Sequence, residues 1–293
     1  MPEKDDTKKL DGAHLDAIQQ ELNIELLTHE YITSGAANDI FRLTTKDLSL
    51  MVKKSKVDLP MLFQYEAEAL KTIKETHTVS VPEVIHVTDN FLVLEDLGDE
   101  YKESPDRDWY DFGAQIGAMH QVHFDYFGYH HDNYLGIWLQ KNTPNPNWID
   151  FFAINRVECY LSAGKNAEIL TAGDRNGIQK IFSKIGNLIP EQKPSLCHGD
   201  LWINNTFRKE SGKIYLMDPA IHYGLPEADL AMTQMYTQFP EAFYEGYRSK
   251  HALLPDWKDR LPLYQLKELK LMIAQFGHEE SLKTLRSTIK KYA

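Results

Sequence analysis

Several polar residues are concentrated in an apolar context in "SLCHGDLWINNTFRKESGKIYLMDPAIHYG", among them Asp200, Asn205 and Asp218. Asp200 and Asn205 are five positions apart, and Asp218 directly follows the strand-like run "KIYLM". Two carboxylates brought to about 4 Å repel by roughly 4 kcal/mol at an effective dielectric near 20. A triphosphate nearby makes the repulsion worse. Magnesium reverses it, because Mg2+ takes one or two carboxylates together with phosphate oxygens and water. Asn205 then adds an oxygen ligand without adding charge, and Asp200 is left to orient a hydroxyl or accept its proton. Positioning, charge neutralisation and an aligned nucleophile are what phosphoryl transfer asks of a protein. The plainer alternative, two Asx turns flanking a hairpin, explains each residue singly but not all three in this order.

H-G-D-x4-N, a strand and then D follow the catalytic-loop and metal-loop plan of kinases. "HGDLWINN" stands where protein kinases carry HRDxxxxN, and "LMDPA" where they carry DFG. The plan makes further demands upstream. A Lys on the third strand should meet ATP phosphates, and "LMVKK" supplies Lys53. A Glu on the next helix should pair with it, and "FQYEAEAL" offers Glu66 or Glu68. The turn "TSGAAND" has a single glycine, so its phosphate-facing backbone at Ser34 and Gly35 is a Gly-poor loop. "LVLEDLG" runs from a strand into a hinge, where backbone groups of Glu95, Asp96 and Leu97 are placed to read adenine. His198 takes a structural role beneath the loop rather than that of the base.

The elements around these residues change period along the chain. Residues 7–27 carry Leu10, Leu15, Ile18, Leu22 and Leu26 at helical spacing, which predicts an amphipathic helix. From Tyr31 to Ser55 the pattern reads strand, small-residue turn, strand, turn, strand. Leu59 to Thr76 is helical again, with Pro60 in the first turn. Two more strands follow around Asp89–Asn90. Beyond Gly98 the chain is mostly helical, apart from the Asn-, Pro- and aromatic-rich loop "YHHDNYLGIWLQKNTPNPNW" and the strands of the opening stretch. The expected class is α+β in two lobes. Residues 1–97 form a small antiparallel nucleotide-binding lobe with one inserted helix after an N-terminal helix, and residues 98–293 a larger helical catalytic lobe. Ligands commonly bind in the cleft between such lobes.

Composition sets outer bounds. A net charge of −11 argues against a nucleic-acid partner, since that binding rests on Lys and Arg neutralising phosphates. No apolar run approaches the roughly 18 residues of a spanning helix, so no membrane partner is expected. The charged N-terminus has no signal-like apolar region. Two cysteines in 293 residues make no disulfide framework, and a reducing cytoplasm is the simpler location.

At this point the chain resembles the fructosamine-kinase, or ketosamine-3-kinase, family, within the aminoglycoside-phosphotransferase and choline-kinase-like group. The resemblance rests on "HGDLWINN", "MDPAIHYGLPEADLAM", "FGYHHDNYLG", "NWIDFFAINRV", "VSVPEV" and "LVLEDL", from about Tyr31 to Phe276. The tryptophan after the D-L pair separates it from generic aminoglycoside and choline kinases. The resemblance implies a protein-kinase-like fold and ATP-dependent phosphorylation of the sugar 3-hydroxyl of ketosamines, free or on protein amines. It implies Asp200 as base, Asn205 and Asp218 as Mg2+ ligands, and Lys53 with Glu66, rather than Glu68, as the ATP-phosphate pair. Trp202 would stack on the sugar or pack beneath the loop. The enzyme is expected to be a monomer or weak homodimer. Two features depart from relatives: the Gly-poor loop, and "KELKLMIAQFG" with Lys267, Glu268 and Lys270 where a Tyr/Leu/His/Asn-rich helix is common. If that helix lines the acceptor pocket, the preferred acceptor shifts, with ribulosamines favoured over fructosamines.

Other readings compete. An aminoglycoside- or choline-like acceptor would use the same three residues. A two-metal hydrolase would use Asp200 and Asp218 but leaves Lys53 unexplained. A nucleotide- or sugar-binding sensor would explain the poor phosphate loop but not the complete acidic set. His120, His123, His130 and His131 suggest zinc, yet the first pair lies on a helix and the second in a loop, with no fixed relation between them.

Overall fold

The computed structural model describes residues 10–293. α1 (Gly12–Leu22) is capped by Asp11, whose side chain accepts from His14 N–H at 2.9 Å. It is shorter than the 7–27 periodicity predicts. Asn23 at φ 51° ends it in the left-handed conformation that asparagine tolerates. Leu26 therefore opens a strand, and residues 7–9 of the expected helix lie outside the described residues.

Strands β1 (Leu26–Ser34), β2 (Asn38–Thr45) and β3 (Ser49–Ser55) form the expected meander. α2 (Leu62–Glu75) follows, then β4 (Val84–Val87) and β5 (Phe91–Glu95). The five strands pair in the order β1-β2-β3-β5-β4, all antiparallel. Pro60 precedes α2 instead of opening it, because Met61 takes φ 60° just before the helix. Period two divides the sheet between two cores. Phe41, Leu43, Val52, Phe91 and Val93 pack with Ile18 of α1. Leu92 and Leu94 join Phe63, Ala67 and Leu70 of α2 in the main core. Lys53 lies opposite Leu92 in the ladder and so shares this second face.

Beyond the hinge, α3 (Asp106–Met119) opens the helical part. The segment read as a loop contains a short hairpin, β6 (Asn133–Leu135) and β7 (Trp138–Gln140). Side chains hold it: Asn133 donates to Ile221 O at 2.8 Å, and Gln140 donates to Ala220 O at 2.9 Å. These bonds join it to the chain just after Asp218, a contact no local pattern announces.

"NWIDFFAINRV" starts as α4 (Trp148–Phe152) but continues as a π-helical turn, Ala153–Val157. The carbonyls of Arg156 and Val157 accept from the buried ammonium of Lys270, which stabilises this irregular backbone. α5 (Asn166–Ile169) and α6 (Ala172–Ile185) follow, then β8 (Ser195–Cys197), β9 (Thr206–Arg208), β10 (Ile214–Leu216) and β11 (His222–Gly224). The pairs β9–β10 and β8–β11 frame the opening stretch. Beyond β11 the chain is helical in two pieces, α7 (Pro226–Met232) and α8 (Glu241–Arg248), the second preceded by Pro240 at its cap. α9 (Trp257–Tyr264), α10 (Leu266–Phe276) and α11 (Glu279–Tyr292) complete the chain. Among the described residues, no helix is long and apolar enough to cross a membrane.

Candidate active site

The β8–β9 loop carries Asp200 and Asn205 under tight backbone control. Gly199 sits at φ 86°, and a Cβ there would lie 2.1 Å from Ala220 O, so only glycine is accommodated between His198 and Asp200. His198 is fully buried. Its Nε2 faces Met217 O at 2.9 Å, and its Nδ1 accepts from Asp200 N–H at 3.2 Å. A carbonyl only accepts, so Nε2 carries the proton and Nδ1 the lone pair. One imidazole thereby ties the Asp200 loop to the strand that delivers Asp218.

Asn205 donates through Nδ2 to Asp200 O at 2.9 Å and to Asp200 Oδ2 at 2.8 Å. That orientation leaves the amide oxygen of Asn205 available to a cation. Asp218 takes φ 54°, strained for most side chains but tolerated by aspartate. Its carboxylate is half exposed, at 51%, and its Oδ1 meets the ammonium of Lys53. Lys53, 3% exposed, also meets Glu66. Burial alone would push the ammonium down, but Asp218 and then Glu66 hold it protonated above its ordinary range. The ion pair thus spans both lobes: Lys53 and Glu66 come from one, Asp218 from the other.

Two adjoining cavities meet at Lys53 and Asp218. One, about 370 Å³, is lined by Ser34, Gly35, Glu66, Trp202 and Asn205. The other, about 400 Å³, is walled by Ile40, Met51, Leu94 and Met217 and reaches Glu95, Asp96 and Leu97. The second suits a flat apolar ring beside the hinge, and the first a polyanion near Lys53. Arg42 holds the hinge: its Nε lies 2.8 Å from Asp96 Oδ2, and it donates to Gly98 O at 2.8 Å. The Asp96 side chain is therefore occupied, leaving recognition there to the backbone. In the Gly-poor turn, Lys56 donates to Ser34 Oγ and Gly35 O, both at 2.6 Å. This second cation was not singled out from the sequence. Asn205 and Asp218 line the cavity with neutral and anionic oxygens, a donor set that suits Mg2+.

Asp200 sits deeper. Burial and then the charge of Glu268 push its carboxyl up to about 7, against the opposing pull of Lys267 and the Asn205 amide. The three charged residues of the atypical α10 segment separate here. Lys270 serves the π-turn, Lys267 donates to Gly199 O at 2.7 Å, and Glu268 lies near Asp200. Tyr236 donates to Glu268 Oε1 at 3.2 Å, and its ring packs on Trp202 at 5.2 Å. Among the described residues, Glu268 Oε2 is buried without a hydrogen-bond partner.

Asp229 is a further residue that sequence reasoning missed. It lies inside the quoted "EADLAM" block but draws no attention as an ordinary helical acid. Its carboxylate accepts from the backbone N–H of His198 at 2.6 Å and of Gly199 at 2.9 Å, with His120 Nε2 at 3.2 Å. Burial works against its charge, yet His120 and the Gly199 N–H hold its carboxyl down at about 2. Asp229→Ala should orphan two buried donors at about 1–3 kcal/mol each. Urea unfolding should show a loss of roughly 3–5 kcal/mol, with turnover falling as the loop loosens. An unfolding free energy within about 0.5 kcal/mol of wild type, a margin of the order seen for surface changes, would remove this role.

A sequence model of the fructosamine kinase family matches residues 12–293. A probable ketoamine kinase of Vibrio parahaemolyticus is 34% identical over 261 residues, 85% of this chain and 89% of that protein. A Haemophilus somnus protein assigned as a fructosamine-3-kinase superposes with a TM-score of 0.85 at 26% identity, over 94% of this chain and 96% of that one. An ADP-bound aminoglycoside phosphotransferase shares the fold at TM-score 0.67 and 17% identity, over 96% of this chain and 97% of that one.

Proposed function

The chain belongs to the fructosamine kinase family and is an ATP-dependent phosphotransferase for a sugar amine, and from that premise we propose that it phosphorylates the sugar 3-hydroxyl of ketosamines, ribulosamines ahead of fructosamines. One observation carries the residue roles. Asn205, whose amide holds the Asp200 carboxylate, lines one cavity with Glu66, Lys53 and Asp218, so the hydroxyl-activating pair adjoins the phosphate-binding groups.

In this reading the backbone of Glu95 to Leu97 receives adenine, while Lys53, oriented by Glu66, and the Ser34–Gly35 turn receive phosphates. Asn205 and Asp218 would hold Mg2+, which would supply charge neutralisation to the phosphates. Asp200 accepts the proton of the attacking hydroxyl as its oxygen bonds to phosphorus and the bond to the ADP oxygen breaks. A base near the operating pH suits that task, and the raised Asp200 carboxyl is consistent with it.

For the acceptor, Trp202 and Tyr236 offer aromatic faces to a sugar, and Glu268 offers a counter-charge. A ketosamine carries an ammonium beside its sugar, and Glu268 Oε2 is an oxygen in need of a partner. The test is a panel of ribulosamines, fructosamines, aminoglycosides and choline, with Mg2+-dependent ATP turnover and the phosphorylated carbon located by NMR. Phosphate on the 3-hydroxyl of a ribulosamine supports the proposal. Saturable nucleotide binding without turnover on any ketosamine would replace it with the sensor reading. Glu268→Gln in the same panel should raise the ketosamine KM roughly tenfold, the scale of a hydrogen bond to a charge, with the KM for ATP unchanged. An unaltered ketosamine KM would take Glu268 out of acceptor recognition.

A further inference from the structure

Outside the cleft, one seam joins α2 to the larger lobe. Glu68, two residues beyond Glu66, projects its Oε1 to within 2.9 Å of His130 Nε2 and 3.0 Å of His131 Nε2. The Tyr129 hydroxyl supports the same oxygen at 3.3 Å. His131 is held firmly: Tyr65 stacks on it with centroids 4.4 Å apart and planes at 17°. Its Nδ1 lies 2.7 Å from Asp132 O. Asp132 is itself anchored by Lys141 at 3.0 Å and by Asn142 N–H at 2.8 Å.

The tautomer decides what this cluster wants. A carbonyl only accepts, so Nδ1 of His131 carries the proton, and a neutral ring then presents a bare lone pair at Nε2. That lone pair faces a carboxylate oxygen, and a second imidazole nitrogen converges on the same point. Three electron-rich atoms of Glu68, His130 and His131 all lie within 4.8 Å of one another. They require a positive centre among them, either a proton or a metal ion. An imidazole whose far nitrogen donates to a backbone carbonyl is the usual arrangement of a metal-ligating histidine. Zinc bonds imidazole nitrogen and carboxylate oxygen at about 2.0–2.2 Å, so its ligand atoms stand roughly 3.3 Å apart. The two spacings to Glu68 Oε1, 2.9 and 3.0 Å, need to open by only a few tenths of an ångström. His130 and Glu68 are partly exposed, leaving an entry path and room for water as a fourth ligand. Among the described residues, the other group with metal-ligating spacing, His120, Cys197 and Asp229, is fully buried. Its His120 and Asp229 are already committed to Tyr247 and to the catalytic-loop backbone.

We propose that Glu68, His130 and His131 form a site for a divalent metal of zinc-like preference, clamping α2 to the larger lobe. Two imidazoles and one carboxylate favour Zn2+, Co2+ or Ni2+ over Mg2+. The site is distinct from the Asn205–Asp218 pair. It acts on the lobe seam, two residues along α2 from Glu66, which orients Lys53.

Untagged, EDTA-treated full-length protein titrated with Zn2+ should bind one ion per chain at this site, with Mg2+ failing to compete. It should also unfold at a higher temperature with Zn2+ than with EDTA. His131→Ala and Glu68→Gln should each weaken that binding roughly tenfold or more, a loss of the size seen when support to a metal site is removed. Asp218→Ala should leave it intact. Zinc binding that survives His131→Ala but is lost in Asp218→Ala would place the ion in the cleft and overturn the proposal. So would a seam stabilised by acid with no saturable Zn2+ binding, which would assign the positive centre to a proton.

Discussion

Asp200→Asn is expected to lower kcat by about a thousandfold, within the range that a positioned general base supplies, while ATP still binds with its wild-type affinity. The asparagine keeps the shape and an oxygen that can accept from Asn205 Nδ2, now at 2.8 Å. What it loses is the ability to take a proton from the acceptor hydroxyl. Stability should not fall. A carboxyl whose folded-state pKa is raised favours the fold below its unfolded value near 4 and loses that contribution as pH rises through about 7. At pH 8 the wild-type chain therefore holds a buried charge that the amide does not, and the variant should melt at the same temperature or higher. Calorimetric titration of ATP, a melting curve and steady-state kinetics together isolate the chemical step. A variant retaining more than a tenth of the wild-type rate would strip Asp200 of the role of base.

Asp218→Ala should act on the nucleotide instead, and its sign should depend on metal. With Mg2+ present, removing one of two protein oxygens should weaken ATP binding tenfold or more. With EDTA the same change removes a carboxylate from beside the triphosphate. It also releases one of the two anionic partners that share Lys53. Metal-free ATP should then bind as well as, or better than, to wild type, since like charges no longer oppose one another. Titrations with and without metal read this crossing directly. Equal weakening in both conditions would mean that Asp218 supports the cleft structurally and does not hold the metal.

The strands of the first sheet and most helices were legible because the signals are local. Alternation over a few residues identifies "LSLMVK" as strand, and the small-residue turn before β2 needs no distant partner. Errors fell where local pattern met a tertiary demand. Leu26 sat on the helical stripe of α1, yet it pairs with Thr45 in the sheet. The regular helix read into "NWIDFFAINRV" gave way to a π-turn whose carbonyls take the Lys270 ammonium from more than 100 residues away. Zinc was set aside for want of a relation among four histidines. The proposed seam site draws on Glu68, which sequence reasoning weighed only as a second choice for Lys53.

By itself the sequence determined the family and its kind of chemistry, phosphoryl transfer, through motifs that carry an acid, an amide and a second acid at close spacing. Those spacings lie within one loop and one hairpin, where chain connectivity already limits the distances. Only the tertiary structure decided which charges meet. Lys53 reaches Asp218 across 165 positions, Asp229 holds the catalytic loop from 30 positions away, and Glu268 comes from a separate helix to lie near Asp200. The physical reason is burial. A charged group removed from water must find its partner wherever packing places one, and packing is settled by the whole core at once.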